Sequence, residues 1–126
     1  MPVRYRIVPK LDPRDLGAPA KYYPTAVSSG RTDLRALAGR IAEISTISTI
    51  DSMALLEALL VVIPDELSHG RIVELGEFGA FRVTLQAGGE DTPEKAGAHN
   101  IKAARVQFRP GKGFKAVLEA LRFDQV

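Results

Sequence analysis

Alternating apolar and polar residues predict β-strands near the N-terminus of the chain. Residues 3–8 (VRYRIV) alternate, and residues 21–27 (KYYPTAV) do so more loosely, with a loop rich in proline and glycine between them. The two segments form either a hairpin or two separate edge strands. Pro9 and Pro24 favour edge positions, because proline has no N–H to donate to a sheet ladder.

Alternation returns in the second half of the chain. Residues 71–85 predict a strand, a turn and a strand, and residues 101–108 predict a returning strand, which together make a three-stranded antiparallel unit. Residues 86–98 (QAGGEDTPEKAGA) contain no large apolar side chain, so we expect a mobile, exposed loop there. The turn contains Gly76 and Gly79, and glycine within a strand marks a bend or a close approach of another backbone.

Apolar residues spaced by three and four predict helices in the middle and at the end of the chain. The first helix begins near Thr32 or Asp33, either of which can cap it. Its apolar face consists of Leu34, Leu37, Ile41 and Ile44. The second helix, residues 51–67, is apolar on much of its surface, and Pro64 must kink or restart it. The last helix runs from about Lys112 to Phe123.

Composition limits the class of protein. A chain of 126 residues with 45% hydrophobic content is long enough for one compact domain. It has no cysteine, which excludes disulfides and thiolate metal sites and fits a reducing cytoplasm. The longest apolar stretch, residues 53–63, is too short to span a membrane, and the N-terminus shows no secretory signal.

The net charge of +2 is distributed unevenly. Residues 1–31 carry six lysines and arginines against two aspartates, whereas residues 32–83 carry four basic residues against eight acidic ones. Residues 106–126 are again basic. Basic ends permit an anionic partner, although scattered surface charge more often serves solubility.

No pattern in the sequence predicts catalysis or a cofactor. His69 and His99 lie thirty positions apart without a further ligand at metal-binding spacing. No serine lies in a nucleophile-elbow pattern, and RPGKGFK has only half of a phosphate-binding loop. We therefore predict neither an enzyme nor a metal site, and no small-molecule substrate.

The order of elements and two separated motifs resemble the bacterial HU and integration host factor family. The residues that carry the resemblance are IAE at 41–43, Gly70, LGEFGAF at 75–81 and FRPGKGFK at 108–115. The resemblance covers roughly residues 32–123. The preceding segment looks like that of HU-related proteins with an N-terminal extension, which predicts an extension over residues 1–31 and an HU-like domain over residues 32–126.

The resemblance implies an α+β fold in an intertwined homodimer. Two helices of each subunit would form a shared base, the three-stranded sheets a saddle, and the long loops arms around DNA. The second helix independently indicates a partner, because it has more apolar surface than one chain of this size can cover. The predicted dimer core consists of Met53, Leu56, Leu59, Leu60, Ile63, Phe78, Phe81 and Phe108.

The resemblance also implies that double-stranded DNA is held by phosphate contacts and by the arms in the minor groove. The corresponding candidate residues are Gly79, Arg82, Lys95, Lys102, Arg105, Arg109, Lys112 and Lys115. Pro93 lies near the position of the arm-tip proline that wedges between base steps. For the charged residues on the strands, an ordinary solvated face is the alternative. A nucleoid-associated protein of the cytoplasm is the expected setting.

Two departures from the family pattern leave two functions open. The arm carries Glu90, Asp91 and Glu94 against Lys95, and Glu77 stands where HU has the first glycine of its saddle pair. An acidic arm meets like charge in a minor groove. The first hypothesis is a largely nonspecific architectural DNA-binding dimer, in which the basic extension supplements the arms. The second is an HU-like interaction module with weakened DNA binding.

Overall fold

The computed structural model describes residues 2–126, which form three α-helices and six β-strands. The elements are β1 (Val3–Lys10), β2 (Lys21–Val27), α1 (Leu34–Ile44), α2 (Thr49–Ser68), β3 (Val73–Glu74), β4 (Gly79–Ala87), β5 (Ile101–Pro110), α3 (Lys112–Glu119) and β6 (Phe123–Gln125). The strands make two sheets, with the orders β2-β1-β6 and β3-β4-β5. The chain divides into two compact units, residues 2–33 with 118–126, and residues 34–117.

The first unit is built on an N-terminal hairpin, one of the two arrangements that the sequence left open. β1 and β2 are antiparallel, with Lys10 opposite Lys21. Pro24 lies in the edge strand β2, as expected, whereas Pro9 lies in the central strand β1 but beyond the part of it that pairs with β6. Both prolines thus avoid a position between two partners.

The C-terminal residues belong to this same sheet. β6 runs parallel to β1, and the backbone N–H of Val3 donates to the carbonyl oxygen of Arg122 at 2.8 Å. The prediction that the last helix continues to Phe123 is therefore wrong, since α3 ends at Glu119. An amphipathic pattern does not reveal that Phe123 has a strand to pair with, because that strand lies at the other end of the sequence.

In the second unit, α1 packs against α2. Ala38 of α1 and Ser52 of α2 are almost fully buried. α2 begins at the Ser48 cap, whose side-chain oxygen accepts a hydrogen bond from the N–H of Asp51 at 3.1 Å. The helix continues through Pro64 without a restart and ends at Ser68, and Gly70 just beyond it has a φ of +77°.

The second sheet confirms the predicted three-stranded antiparallel unit. β4 pairs with β3 on one side and with β5 on the other. Opposed residues of an antiparallel pair share a face, so Phe81 and Phe108 lie on one face of the sheet together with Val83 and Val106. This apolar face borders the C-terminal half of α2, where Ile63, Pro64 and Leu67 line a cavity with it. The other face of β4 and β5 carries polar side chains.

Candidate nucleic-acid interface

The three predicted arginines lie together on the polar face of β4 and β5. Arg82 is opposite Gln107, Arg105 is opposite Thr84, and Arg109 is opposite Ala80. The β4 positions of these pairs, residues 80, 82 and 84, are two residues apart, and side chains two residues apart on a strand lie on the same face. The three arginines therefore share the face that points away from α2. At about 3.3 Å per residue, they span about 13 Å along the sheet.

The arginines of this face have few internal partners. The Nη2 group of Arg105 donates to the side-chain oxygen of Gln86 at 2.8 Å. The Nε group of Arg82 is buried and has no hydrogen-bond partner among the described residues. A buried N–H without an acceptor is costly to the fold.

Sequence reasoning missed the neutral members of this face. Thr84 and Gln86 follow Arg82 along β4 at intervals of two, and Gln107 does the same between the two arginines of β5. The strict alternation of the strand is the signal that could have identified them. They are hydrogen-bonding side chains of the kind that contact DNA phosphates and sugars.

Gly79 has an internal reason to be glycine. It is buried, and a β-carbon there would lie 2.7 Å from two ring carbons of Phe108 and would also collide with the carbonyl oxygen of Arg109. Its φ of +147° further disfavours any other residue. The backbone that comes close to the GEFG turn is therefore that of β5, and a phosphate contact at Gly79 stays a prediction.

An aromatic cluster fixes the start of α3. The rings of Phe78, Phe81, Phe108 and Phe114 lie with centroids 4.8 to 5.7 Å apart in tilted and edge-to-face arrangements. Phe114 had not been predicted to belong to this core. Its packing orients the first turn of α3, where Lys112 and Lys115 are both exposed.

Glu77 lies beside this first turn of α3. With Phe78, Gly113 and Phe114 it lines a shallow cavity of about 300 Å³. The N–H of Gly111 donates to the carbonyl oxygen of Phe78 at 2.9 Å and holds the two segments together. Glu77, whose negative charge would oppose a phosphate contact, thus lies near the lysines of α3, which carry the opposite charge.

The arm between β4 and β5 is exposed, as predicted, and is organised by turns. At its base, the N–H of Gly88 donates to the carbonyl oxygen of Asn100 at 3.0 Å. Lys102 lies beside this base, with its Cε 3.9 Å from the position of a β-carbon on Gly88. At the tip, the N–H of Lys95 donates to the carbonyl oxygen of Thr92 at 3.2 Å, so Pro93 is the second residue of a β-turn.

The acidic residues of the arm differ in their surroundings. Glu90 accepts a hydrogen bond from the side-chain amide of Asn100 at 2.9 Å, and its carboxylate lies 3.8 Å from Nε2 of His99. Its carboxylate is therefore hydrogen-bonded within the arm. Asp91 and Glu94 are exposed and form no ion pair with another residue in the 2–126 range.

The predicted dimer-core residues of α2 are incompletely covered by their own chain. Met53, Leu56, Leu59 and Ile63 are half-buried, whereas Leu60 is 60% exposed. Val61, next to it, is 71% exposed. Phe78 is also half exposed. A helix with so much accessible apolar surface is unusual for a chain that acts alone.

The candidate residues thus form separate groups along the second unit. Arg82, Arg105 and Arg109 share one sheet face, and Lys112 and Lys115 lie on α3. Pro93 and Lys95 lie in the arm and Lys102 at its base, whereas Gly79 is buried at the start of β4. Residues 2–126 contain no group of three acidic or histidine side chains that could hold a metal ion. None of the described helices is long and apolar enough to cross a membrane.

Two helices, a three-stranded antiparallel sheet with a protruding arm and a closing helix define an HU-like protein. The sequence profile of the HU-HIG family, described as an HU domain fused to wHTH, Ig, or Glycine-rich motif, matches residues 1–125. The chain therefore belongs to the HU-HIG family.

The fold resembles that of known structures. One example is the crystal structure of a protein from Bacteroides vulgatus ATCC 8482 that is described as a candidate bacterial DNA-binding protein. The two structures superpose with a TM-score of 0.66 at 14% sequence identity, over 98% of this chain and 48% of the other. This chain thus spans about half the length of that protein. No curated protein sequence matches the present chain.

Proposed function

We propose that this protein is a dimeric architectural DNA-binding protein of the nucleoid that holds the duplex through its phosphates with little sequence preference. Membership of the HU-HIG family and the fold shared with a candidate DNA-binding protein support an HU-like, DNA-binding role. The observation that carries the proposal is the strip of Arg82, Arg105 and Arg109 on one sheet face. A binding role of this kind requires no catalytic group.

The geometry of the arginine strip suits a phosphate backbone. Guanidinium groups bind phosphate oxygens through two parallel hydrogen bonds, and arginine stays charged at any physiological pH. Phosphates of one DNA strand follow one another every 3.4 Å along the helix axis, so a strip of about 13 Å faces about four of them.

The exposed apolar surface of α2 supports dimerisation. Leu60 and Val61 are mostly exposed, and Leu55 and Val62 are about half exposed. A second copy of the helix would remove this surface from water, and each square ångström of apolar area buried contributes about 25 cal/mol. The half-buried Met53, Leu56, Leu59 and Ile63, together with the partly exposed aromatic cluster, would complete the dimer core.

The other candidate contacts extend this proposal toward the arm and α3. Lys102, Lys95 and Pro93 would meet the minor groove, with Pro93 as the wedge between base steps. Lys112 and Lys115 would contact phosphates, and Gly79 would allow the backbone to approach one. The exposed position of Pro93 in the tip turn supports its part in this proposal.

A second function is favoured by one observation. Asp91 and Glu94 are exposed at the arm tip, where they would repel the phosphates on both sides of a minor groove. An HU-like dimer with weak DNA affinity that serves as an interaction module would tolerate this charge. The two functions differ in whether the protein binds duplex DNA at low salt.

The experiment is an anisotropy titration of a labelled 30-base-pair duplex at 50 mM salt. We expect the wild-type protein to bind and the variant with Arg82, Arg105 and Arg109 replaced by Gln to bind at least tenfold more weakly. The matched control replaces Arg35, Arg40 and Arg71, which are exposed elsewhere in the second unit, and should change affinity much less. Absence of wild-type binding would favour the interaction module.

A further inference from the structure

The sheet of the first unit has two chemically different faces. Strand alternation places Val3, Tyr5 and Ile7 on one side of β1. Apolar residues of the neighbouring strands join them around an open cavity of about 500 Å³, which is lined by Val3, Tyr5, Ile7, Pro24, Ala26 and Phe123. The opposite face carries the charged residues of β1 and β2. Such a division is typical of a sheet with one face toward protein and one toward solvent.

The charges on this opposite face have one dominant sign. Arg4, Arg6 and Lys10 of β1 and Lys21 of β2 all lie there and are all exposed. Asp124, opposite Arg4, is the one acidic residue in the three strands of this sheet. None of the four basic side chains forms an ion pair within residues 2–126.

Two of these cations face each other directly. Lys10 is opposite Lys21 in the β1–β2 register, and like charges at opposed positions destabilise a sheet. Nζ of Lys10 lies 5.6 Å from the ring centroid of Tyr23, a cation–π contact that leaves its charge in place. The nearby Asp12 and Asp15 accept hydrogen bonds from the N–H groups of Arg14 and Gly17 within their own loop. An anion from outside the chain would relieve the repulsion between the two lysines.

We infer that this basic face is a second surface that binds the backbone of duplex DNA; the inference rests on the proposed function. The spacing of the cations along β1 favours DNA as the partner, because the row from Arg4 through Arg6 to Lys10 extends over six residue steps, or about 20 Å. A row of cations of this length fits a repeating polyanion and exceeds a single phosphate. The face would add phosphate contacts to those of the arginine strip of β4 and β5.

The test compares two variants that remove the same number of charges. Lys10→Gln with Lys21→Gln removes the opposed pair, and Arg35→Gln with Arg40→Gln removes two exposed cations of α1. Each lost phosphate contact lowers the slope of log Kobs against log salt by about 0.9 and, at 0.1 M salt, the affinity by about eightfold. In a dimer the lysine variant loses four contacts, so we expect its slope to fall by about 3.6, and the control to remain close to wild type.

The outcomes separate this inference from the proposed function. If wild type binds DNA and the lysine variant behaves like the control, the basic face does not contact DNA, and an acidic protein becomes the better partner for it. If wild type does not bind at low salt, the proposed function itself fails. A second pair, Arg4→Gln with Arg6→Gln, leaves the lysines unchanged and should give a similar loss. Thermal unfolding of each variant shows whether the sheet is retained.

Discussion

The ring of Phe108 occupies the space next to Gly79 that a β-carbon would need, with two ring carbons 2.7 Å from that position. The same ring contacts Phe78, Phe81 and Phe114. The glycine therefore allows the aromatic cluster to form at the point where β4 begins. This cluster lies between the arginine strip and the lysines of α3, so its integrity affects both.

We predict that Gly79→Ala destabilises the protein. The new methyl group would displace the ring of Phe108 and the backbone would be strained, at a cost of about 1–3 kcal/mol from overpacking alone. Urea unfolding followed by circular dichroism measures the change. Gly89→Ala is the control, since nothing lies within 4 Å of its β-carbon position, and it should stay within about 0.5 kcal/mol of wild type. Equal stability of the two variants would contradict the packing described.

Phe114→Ala should loosen α3 from the sheet. Its ring lies 5.4 Å from that of Phe78 and 5.7 Å from that of Phe108. It is only half-buried, so we expect a loss of about 2–3 kcal/mol, below the 3–5 kcal/mol typical of a fully buried phenylalanine. The free energy of unfolding is the measurement. Leu118→Ala, at a more exposed position of α3, should cost less.

Val61→Glu should prevent dimerisation without unfolding the chain. Val61 is 71% exposed in one chain, so a charge there is solvated in the monomer but would be buried in the dimer. An unpaired buried charge costs several kcal/mol, which raises the dissociation constant by at least about 100-fold. Sedimentation velocity should give twice the chain mass of 13.6 kDa for wild type and a single mass for the variant.

Leu16→Glu is the matched control for the dimer. Leu16 is 75% exposed in the hairpin loop of the first unit. The same charge placed there should leave the dimer unchanged. A wild-type protein that sediments as a monomer at micromolar concentration would contradict the proposed dimer.

Neutralising the arm tip should strengthen DNA binding. Asp91→Asn with Glu94→Gln removes two exposed carboxylates near the expected minor groove. Exposed charge interactions are worth about 0.2–1 kcal/mol each, so removal of four carboxylates from the dimer should raise the affinity by about fourfold to several hundredfold. Anisotropy at constant salt measures it, and Glu43→Gln with Glu119→Gln controls for net charge. If both variants bind alike, the arm tip does not approach the DNA.

The elements of the second unit can be predicted well, because each is determined by a pattern of neighbouring residues in the sequence. Apolar spacing identifies α1 and α2, alternation identifies β4 and β5, and the position of Gly70 marks the end of α2. The common face of Arg82, Arg105 and Arg109 follows from alternation once the register is known. That register depends on the turn and the arm, whose lengths the sequence alone leaves uncertain.

The parts that could not be predicted depend on distant contacts. β6 forms a strand because β1, more than a hundred residues earlier, offers it an edge. The hydrogen bond between Glu90 and Asn100 depends on how the arm turns. From the sequence, Glu90 is one of three repulsive charges in the arm, whereas in the structure its carboxylate has a partner within the arm. The contribution of Phe114 becomes visible only when α3 is placed against the sheet.

The salt dependence of wild-type binding to duplex DNA decides whether this protein holds DNA through phosphates. Three arginines from each chain of a dimer make six contacts, which alone predict a linear fall of log Kobs with log salt and a slope of about −5, and the further lysine contacts make it steeper. The measurement is a set of anisotropy titrations between 50 and 300 mM salt. Binding that is absent at 50 mM salt, or that does not weaken as salt is added, would contradict the proposed function.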